Sequence, residues 1–381
     1  MGTFSWLGGD ISNAFHWVSG GSAGTEPGPT DTAIFSAGGA VTGAANVGTA
    51  NFSGAYVFSG ATLLAGTETL SAGGSIVQKD GINAIVSAGN SLVLNGASYT
   101  LSGGTLSAPQ AAEFLSGTFK QFSGTNTAGG ISIAGTYTFA GGTLSVVSGV
   151  DGLELVGAFG SSGGFIQSGG THTVAQALAI GTQVSGSYVL TKGLLSMPVS
   201  GPSHDSGNGE YIGQGNGGVG TFIQNGGTNS VADRIVIGTT NLFGVANASG
   251  TYILGGSGVL QVNTLFVGSE QGCSGTFDFN TAKGDNAQLT ASGTDTFFAG
   301  LIVGGDGIGT FVQGGVLGTS LNNGGTVSAA SLQVGRHFDG VGNYVLSTGV
   351  LQTSGYEILT SRRLRPPIGC SPIPGRPCTL R

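Results

Sequence analysis

Few side chains in this sequence are of the types that do chemistry, and they are scattered along it. The four histidines are His16, His172, His204 and His337. Ser203, His204 and Asp205 are the residue types of a catalytic triad, but three neighbours on one loop cannot converge on a nucleophile. Asp205, Glu210 and Asp233 form the densest acidic locality, yet no paired carboxylates of the glycosidase kind recur along the chain. We therefore predict no catalytic, cofactor-binding or metal-binding residues and no cofactor.

Other motifs with chemical potential are incomplete. The segment Gly304–Gly309 reads GGDGIG and holds one carboxylate, Asp306, while Gly309 stands where a calcium-binding GGxGxD motif needs Asp. No helical pattern follows that would let this loop cradle a phosphate. Neither a disulfide framework nor zinc-site spacing is formed by the three cysteines, Cys273, Cys370 and Cys378.

Composition and charge restrict the class of protein. The chain has 381 residues with 77 Gly, and it combines 39% hydrophobic with 8% charged residues. So much Gly exceeds globular usage, while this apolar content exceeds what disorder tolerates, which favours tight turns between short apolar strands. Residues 1–361 contain six basic and eighteen acidic residues, a net charge of −12. Because an acidic surface repels phosphate backbones, we expect no nucleic-acid partner.

Internal repeats supply the elements that must position any functional residue. The unit is seen in GTFIQNGGTNSV from Gly220, GTYILGGSGVLQV from Gly250 and GTFVQGG from Gly309. Its aromatic residue recurs every 18 to 34 residues, at Tyr99, Phe119, Tyr137, Phe165, Tyr188, Phe222, Tyr252, Phe277, Phe311 and Tyr344. Each copy is too short to bury its own apolar face, so copies must stack. We predict an all-β fold, a parallel β-helix or β-solenoid of Gly-rich repeats; a β-propeller would need four longer strands per repeat.

The period of two residues in the aromatic strand predicts which side chains point inward. The residue after the aromatic can be Lys120 or Asp278, whose charges would be costly in an apolar interior. The aromatic and the residue two positions on should therefore face inward. Where that residue is Gln, as at Gln121, we expect a partner on a neighbouring rung or the turn backbone; a half-exposed edge position is the alternative.

His172 is interpreted as a surface substitution, and the Thr-x-Thr pairs as pairs without a regular position in the coil. His172 occupies the position held by Asn126 and Asn229 in related copies, and we expect it on the surface. The Thr-x-Thr pairs that begin at Thr125, Thr136 and Thr171 are predicted at different positions of the coil. Such scatter disfavours an ice-binding face, which needs the pair at one position in consecutive rungs.

The repeats resemble those of a known class of surface protein. Alternating SGTYxLxGGxLx and GTFxQxGGTNxV copies are similar to the β-strand repeats of autotransporter passengers, and similar repeats occur in PEP-CTERM extracellular proteins. The opening segment resembles the module that often precedes such arrays in its residues Trp6, Asn13, Trp17, Pro29, Asp31 and Phe35. We expect residues 1–40 to cap the array, residues 41–355 to form the solenoid, and residues 356–381 to be a disordered basic tail with Pro and Cys.

The resemblance implies a non-enzymatic structural or adhesive passenger segment at the extracellular or outer-membrane surface. Its expected partners are host or environmental surface glycans or proteins. No run is apolar and long enough to span a membrane, and no signal peptide is present, so we interpret the chain as a fragment or one with a misplaced start. The loops 200–210 and 281–297 are the candidate specificity elements. Two alternatives stay open, a β-helix carbohydrate-active enzyme and a self-assembling matrix protein, and the sequence leaves the oligomeric state open.

Overall fold

The computed structural model describes residues 1–89, 91–148, 152–199, 208–240, 247–280, 286–293, 300–314, 325–336, 340–355 and 357–359. Within them the only helical segment is the 3-10 turn Ala14–His16, and everything else that is regular is β-strand. Contacts divide the chain into two units, residues 1–155 with 163–176, and residues 156–162 with 177–381. Each unit is an all-β solenoid of parallel strands, as the repeats predict.

The strands of the first unit are short because each side of a coil spans only a few residues. They are Thr3–Trp6, Gly9–Asp10, Trp17–Ser19, Ser22–Ala23, Thr32–Phe35, Gly39–Thr42, Ala44–Phe52, Ala55–Phe58, Thr62–Leu70, Ser75–Gln78, Ile82–Ile85, Ser91–Leu94, Ser98–Leu101, Thr105–Leu115, Thr118–Gln121, Thr125–Ile133, Thr136–Phe139, Thr143–Val146, Gly163–Gln167 and Thr171–Val174. The strand Leu153–Val156 carries the boundary between the units.

The second unit repeats the same arrangement. Its strands are Ala177–Thr182, Ser185–Leu190, Leu194–Met197, Gly209–Gln214, Val219–Gln224, Thr228–Thr239, Ser249–Leu254, Val259–Val267, Ser274–Phe279, Gln288–Ala291, Leu301–Val303, Ile308–Gln313, Thr326–Ala329, Leu332–Val334, Val341–Leu346, Val350–Thr353 and Glu357–Leu359. The last strand pairs in parallel with Leu332–Val334, so these three residues of the expected tail are ordered in the sheet. The remainder of 356–381, with Cys370 and Cys378, lies outside the described residues.

Each coil, called a rung here, has three legs. The first leg carries the repeat aromatic, as in Thr118–Gln121; the second and third legs follow, here joined in the single strand Thr125–Ile133. Equivalent legs pair in parallel, so that Phe119 lies beside both Tyr99 and Tyr137. Within each unit the first legs stay in register, because a slip of one residue would turn the buried side chains outward.

Aromatic rings form a column inside each unit. Neighbouring rings are stacked with nearly parallel planes, with centroids 4.6 Å apart for Phe222 and Tyr252 and 5.1 Å apart for Tyr99 and Phe119. The predicted inward face is confirmed, since Phe119 and Gln121 are fully buried while Lys120 between them is exposed.

The N-terminal aromatics pack against the first rungs. Trp6, Trp17 and Phe35 are fully buried or nearly so, and the Phe35 ring stacks on Phe52 with centroids 4.3 Å apart. Their burial leaves no open indole face for a sugar ring. Parallel pairing begins inside the segment expected as a cap, because Thr32–Phe35 already pairs in register with the strand that ends at Phe52.

The corners of the coil require Gly where chains approach closely. At Gly238 the backbone has φ +73°, and a Cβ atom would lie 2.1 Å from the carbonyl oxygen of Ser274. Only Gly accepts both conditions without strain. This residue follows the apolar pair Val236-Ile237 of the third leg.

Candidate functional site

The candidate residues that lie in the described part of the chain are not brought together. Glu210 is fully buried inside the second unit, whereas Asp233 forms an ion pair with Arg234, with 3.6 Å between Oδ2 and Nη2. These two carboxylates therefore do not form an acid–base pair. Ser203, His204 and Asp205 lie outside the described residues, as do His337, most of the loop 200–210 and much of the segment 281–297.

The remaining candidates have structural partners. His16 is near the N-terminus, with Nδ1 2.9 Å from the carbonyl oxygen of Asp10. The backbone N–H of Asp306 donates to Ser269 in the turn before the strand Ile308–Gln313. Among the described residues no group of three or more His, Cys, Asp or Glu side chains could hold a metal ion. Likewise, no described helix is long and apolar enough to cross a membrane.

The expectation that His172 is on the surface is wrong. Its side chain is fully buried, its ring stacks on Phe165 with centroids 5.1 Å apart, and Nε2 lies 2.7 Å from Oε2 of Glu154. The reason is the same period of two residues: in the strand Thr171–Val174 the two threonines face outward, so His172 faces inward.

His172 belongs to a set of buried polar networks that sequence analysis missed. The clearest is centred on Asn126, whose amide donates to Oε2 of Glu113 (3.2 Å) and to the Tyr137 hydroxyl (3.3 Å). The hydroxyl donates to Oε1 of Gln121 (2.8 Å), and Gln121 donates to the carbonyl oxygens of Gly124 and Thr143. All four networked side chains are fully buried. The Gln bonds confirm the expected partners, a turn and a neighbouring rung.

The same network recurs with other residues of the same types. In the first unit it consists of Glu68, Asn83, Gln78 and Tyr99. In the second unit it consists of Glu210, Asn229, Gln224 and Tyr252. A shorter version joins Gln313 to the Tyr344 hydroxyl at 2.7 Å.

The networks depend on two alternating kinds of rung. One kind supplies Tyr on the first leg and Glu on the third, as with Tyr99 and Glu113; the next supplies Gln and Asn, as with Gln121 and Asn126. From one rung to the next, the inward positions of the second and third legs therefore alternate between polar and apolar side chains. The second-leg column in the first unit runs Asn83, Leu106, Asn126, Leu144 and His172.

Burial perturbs the carboxyl groups of these networks. It raises the pKa of Glu68 and of Glu210 from 4.5 to about 8, and that of Glu113 to about 7, with the Asn hydrogen bond acting in the opposite direction. A perturbed carboxyl in a cleft would suggest catalysis, but these groups are sealed from solvent. Their arrangement can therefore link rungs, and it cannot reach a substrate.

Outward positions carry short polar side chains. Thr125 and Thr171 occupy one column with Thr143 between them, so two of the three Thr-x-Thr pairs share a coil position. The expectation that all differ is wrong, and only Thr136 lies on the other sheet.

In the second unit, a shallow groove of about 330 Å³ crosses the second legs. Its polar lining residues are Ser230, Gln261, Asn263, Thr290 and Ser292.

No protein-family model, curated protein or solved structure matches this chain. Its function must therefore be argued from the networks and surfaces of the molecule itself.

Proposed function

We propose that this chain is a non-enzymatic structural and adhesive segment of an extracellular or cell-surface protein, of the autotransporter-passenger type. The observation that carries the proposal is the placement of its ionisable side chains. Glu68, Glu113 and Glu210 are fully buried and accept hydrogen bonds from amides, and Glu154 and His172 are fully buried and contact each other. Groups that would do chemistry on a substrate are instead used to join one rung to the next.

The outer surface suits adhesion through many weak polar contacts. Hydroxyl and amide groups stand on adjacent rungs at the same position, as with Ser230, Gln261 and Thr290 in the groove. A repeating glycan offers hydroxyls that such side chains can bind in direct or water-mediated hydrogen bonds. We propose this groove as an adhesive surface, with glycans or glycoproteins as partners.

The test is binding to arrays of surface polysaccharides and glycoproteins, followed by a matched pair of variants. Gln261 and Gln352 are both exposed and stand in the same column, but only Gln261 lines the groove. We expect Gln261→Ala to weaken binding about tenfold, corresponding to about 1.4 kcal/mol, while Gln352→Ala binds as the unmodified chain does.

Two outcomes would contradict the proposal. Equal effects of the two substitutions would place adhesion elsewhere. Release of sugar reducing ends by the purified chain, lost in Asp233→Ala, would make it a carbohydrate-active enzyme instead.

A further inference from the structure

Three buried carboxyl–amide pairs have the same hydrogen bond and the same two unpartnered oxygen atoms. In each, the amide nitrogen of an Asn donates to one carboxyl oxygen, at 3.1 Å for Asn83–Glu68, 3.2 Å for Asn126–Glu113 and 2.8 Å for Asn229–Glu210. In each, the other carboxyl oxygen and the Asn Oδ1 atom have no hydrogen-bond partner. All six side chains are fully buried.

Two unpartnered oxygens in every pair are a specific chemical signal. An ionised carboxylate is only an acceptor, and so is the amide oxygen, so neither can satisfy the other. A buried acceptor without a donor is costly, and a buried carboxylate without a cation is more so. One proton on the free carboxyl oxygen makes it a donor to Asn Oδ1, and the pair then forms two reciprocal hydrogen bonds.

We propose that Glu68, Glu113 and Glu210 are neutral carboxylic acids in the folded protein, each closing a reciprocal acid–amide pair with the Asn of the next rung. The pairs constitute a pH-sensitive lock between rungs. The lock is complete in acid and weakens as the pH rises.

The groups that face these carboxyls favour the neutral form. In the first unit, the Glu113 carboxyl raises the pKa of Glu68, which faces Tyr99, and the Glu154 carboxyl raises the pKa of Glu113. Glu154 itself contacts His172. None of these neighbours is a Lys or Arg, so no fixed cation compensates a carboxylate there.

In the second unit the surroundings of Glu210 are similar. Tyr252 from the adjacent first leg faces Glu210, and the Tyr252 hydroxyl donates its hydrogen bond to Gln224 Oε1. The strand Thr228–Thr239 carries Asp233 and Arg234, but these form an ion pair with each other. Burial, the main cause, raises the pKa of Glu210 to about 8.

The direction of the pH effect follows from the raised pKa. Below the unfolded value of 4.5 both states are protonated, and the contribution to stability is fully present. As the pH rises from there to the folded value of about 8, the unfolded chain ionises first and stability is lost. Each carboxyl should lower the folding equilibrium constant by up to about tenfold per pH unit in that window.

Isotope-edited infrared spectroscopy of the full chain with labelled glutamate tests the proposal directly. At pH 6 we expect a protonated-carboxyl carbonyl band that shrinks in Glu68→Gln, Glu113→Gln and Glu210→Gln. The exposed Glu26 supplies the control, because Glu26→Gln should leave the band unchanged. Absence of the band at pH 6, or a band that none of the three substitutions reduces, overturns the proposal.

Urea unfolding between pH 5 and pH 9 supplies a second measurement. Gln is an isostere of the neutral acid, and its amide donates to Asn Oδ1 at every pH. Glu210→Gln should therefore remove the contribution of one carboxyl from the pH dependence of the unfolding free energy. If a variant does not fold, titration of the infrared band in the unmodified chain decides: a midpoint near 7 to 8 supports the lock, and a midpoint near the unfolded value of 4.5 refutes it.

Discussion

The alternation of rung types makes a prediction about removing rungs. The network of Glu113, Asn126, Gln121 and Tyr137 draws on three consecutive rungs, with both amides on the middle one. Deleting residues 117–134 removes that middle rung and joins Ser116 to Gly135. Both ends of the deletion are equivalent corners, because Gly135 then takes the position of Gly117, so the strands can still pair.

The deletion leaves two buried polar groups without partners. The Glu113 carboxyl would face Leu144 where Asn126 stood, and the Tyr137 hydroxyl would lie over Leu101 where Gln121 stood. An unsatisfied buried group costs about 1–3 kcal/mol, so the two together cost about 2–6 kcal/mol.

Substituting Glu113→Leu and Tyr137→Phe together should recover that energy in the shortened chain. In the shortened chain Leu92 stays beside position 113, and Tyr99 and Phe165 lie on either side of position 137, so the apolar replacements fit their columns. In the full-length chain the same double substitution should instead destabilise, by about the same amount, because it leaves the Asn126 amide nitrogen and the Gln121 Oε1 atom without partners. The double substitution is thus expected to stabilise the one-rung-deleted chain and to destabilise the full-length chain.

The assay is the free energy of unfolding from urea titrations of the four chains, followed by far-ultraviolet circular dichroism. A two-rung deletion of residues 97–134 is the control for length. It places Tyr137 over Gln78 and Asn83 in the position of Tyr99, so every network stays complete. Glu113 is absent from this chain, so only Tyr137→Phe is made in it, and that substitution should destabilise because it removes the hydroxyl partner of both amides. A double substitution that destabilises both the full-length and the one-rung-deleted chain refutes the reasoning.

Two further predictions concern the packing of the column and the corners. Phe222→Ala should destabilise by about 3–5 kcal/mol, because it removes a fully buried ring between two others, whereas the neighbouring outward Ile223→Ala should cost much less; equal unfolding midpoints for the two would contradict the inward face. Gly135→Ala should destabilise strongly, since its Cβ would lie 2.1 Å from the carbonyl oxygen of Gly117, while Gly130→Ala, with 3.5 Å to the nearest atom, should be tolerated; thermal unfolding compares them, and a tolerated Gly135→Ala would mean the corner can open.

The aromatic column could be predicted because its signal is local. Phe222 and Ile223 alternate within one leg, and the recurring Gly-Thr-aromatic pattern fixes the register, so stacking of Phe222 on Tyr252 follows from the repeat alone. The same reasoning identified Gln224 as buried and in need of backbone partners, which are Gly227 and Val259.

The acid–amide pairs could not be found in that way because their two halves come from different legs. Glu113 and Asn126 are 13 residues apart, but Glu210 and Asn229 are 19 apart, because turns of different length separate the legs. The surface expectation for His172 neglects the alternation of the second leg, which turns this position inward, as it does Asn126 and Leu144. Reading Leu144 and His172 as members of one inward column would have revealed it.

The alternation also explains why two kinds of repeat must succeed each other. A Tyr rung stacked on another Tyr rung would leave its hydroxyl and carboxyl without amides, and two Gln-Asn rungs in succession would leave amides without acceptors. The aromatic column alone would accept either order, since Phe277 stacks on Phe311 as well as Phe222 stacks on Tyr252. The polar networks therefore select the order of the rungs. Where the networks are present, a pair of rungs can be gained or lost without leaving buried polar groups unsatisfied, whereas a single rung cannot.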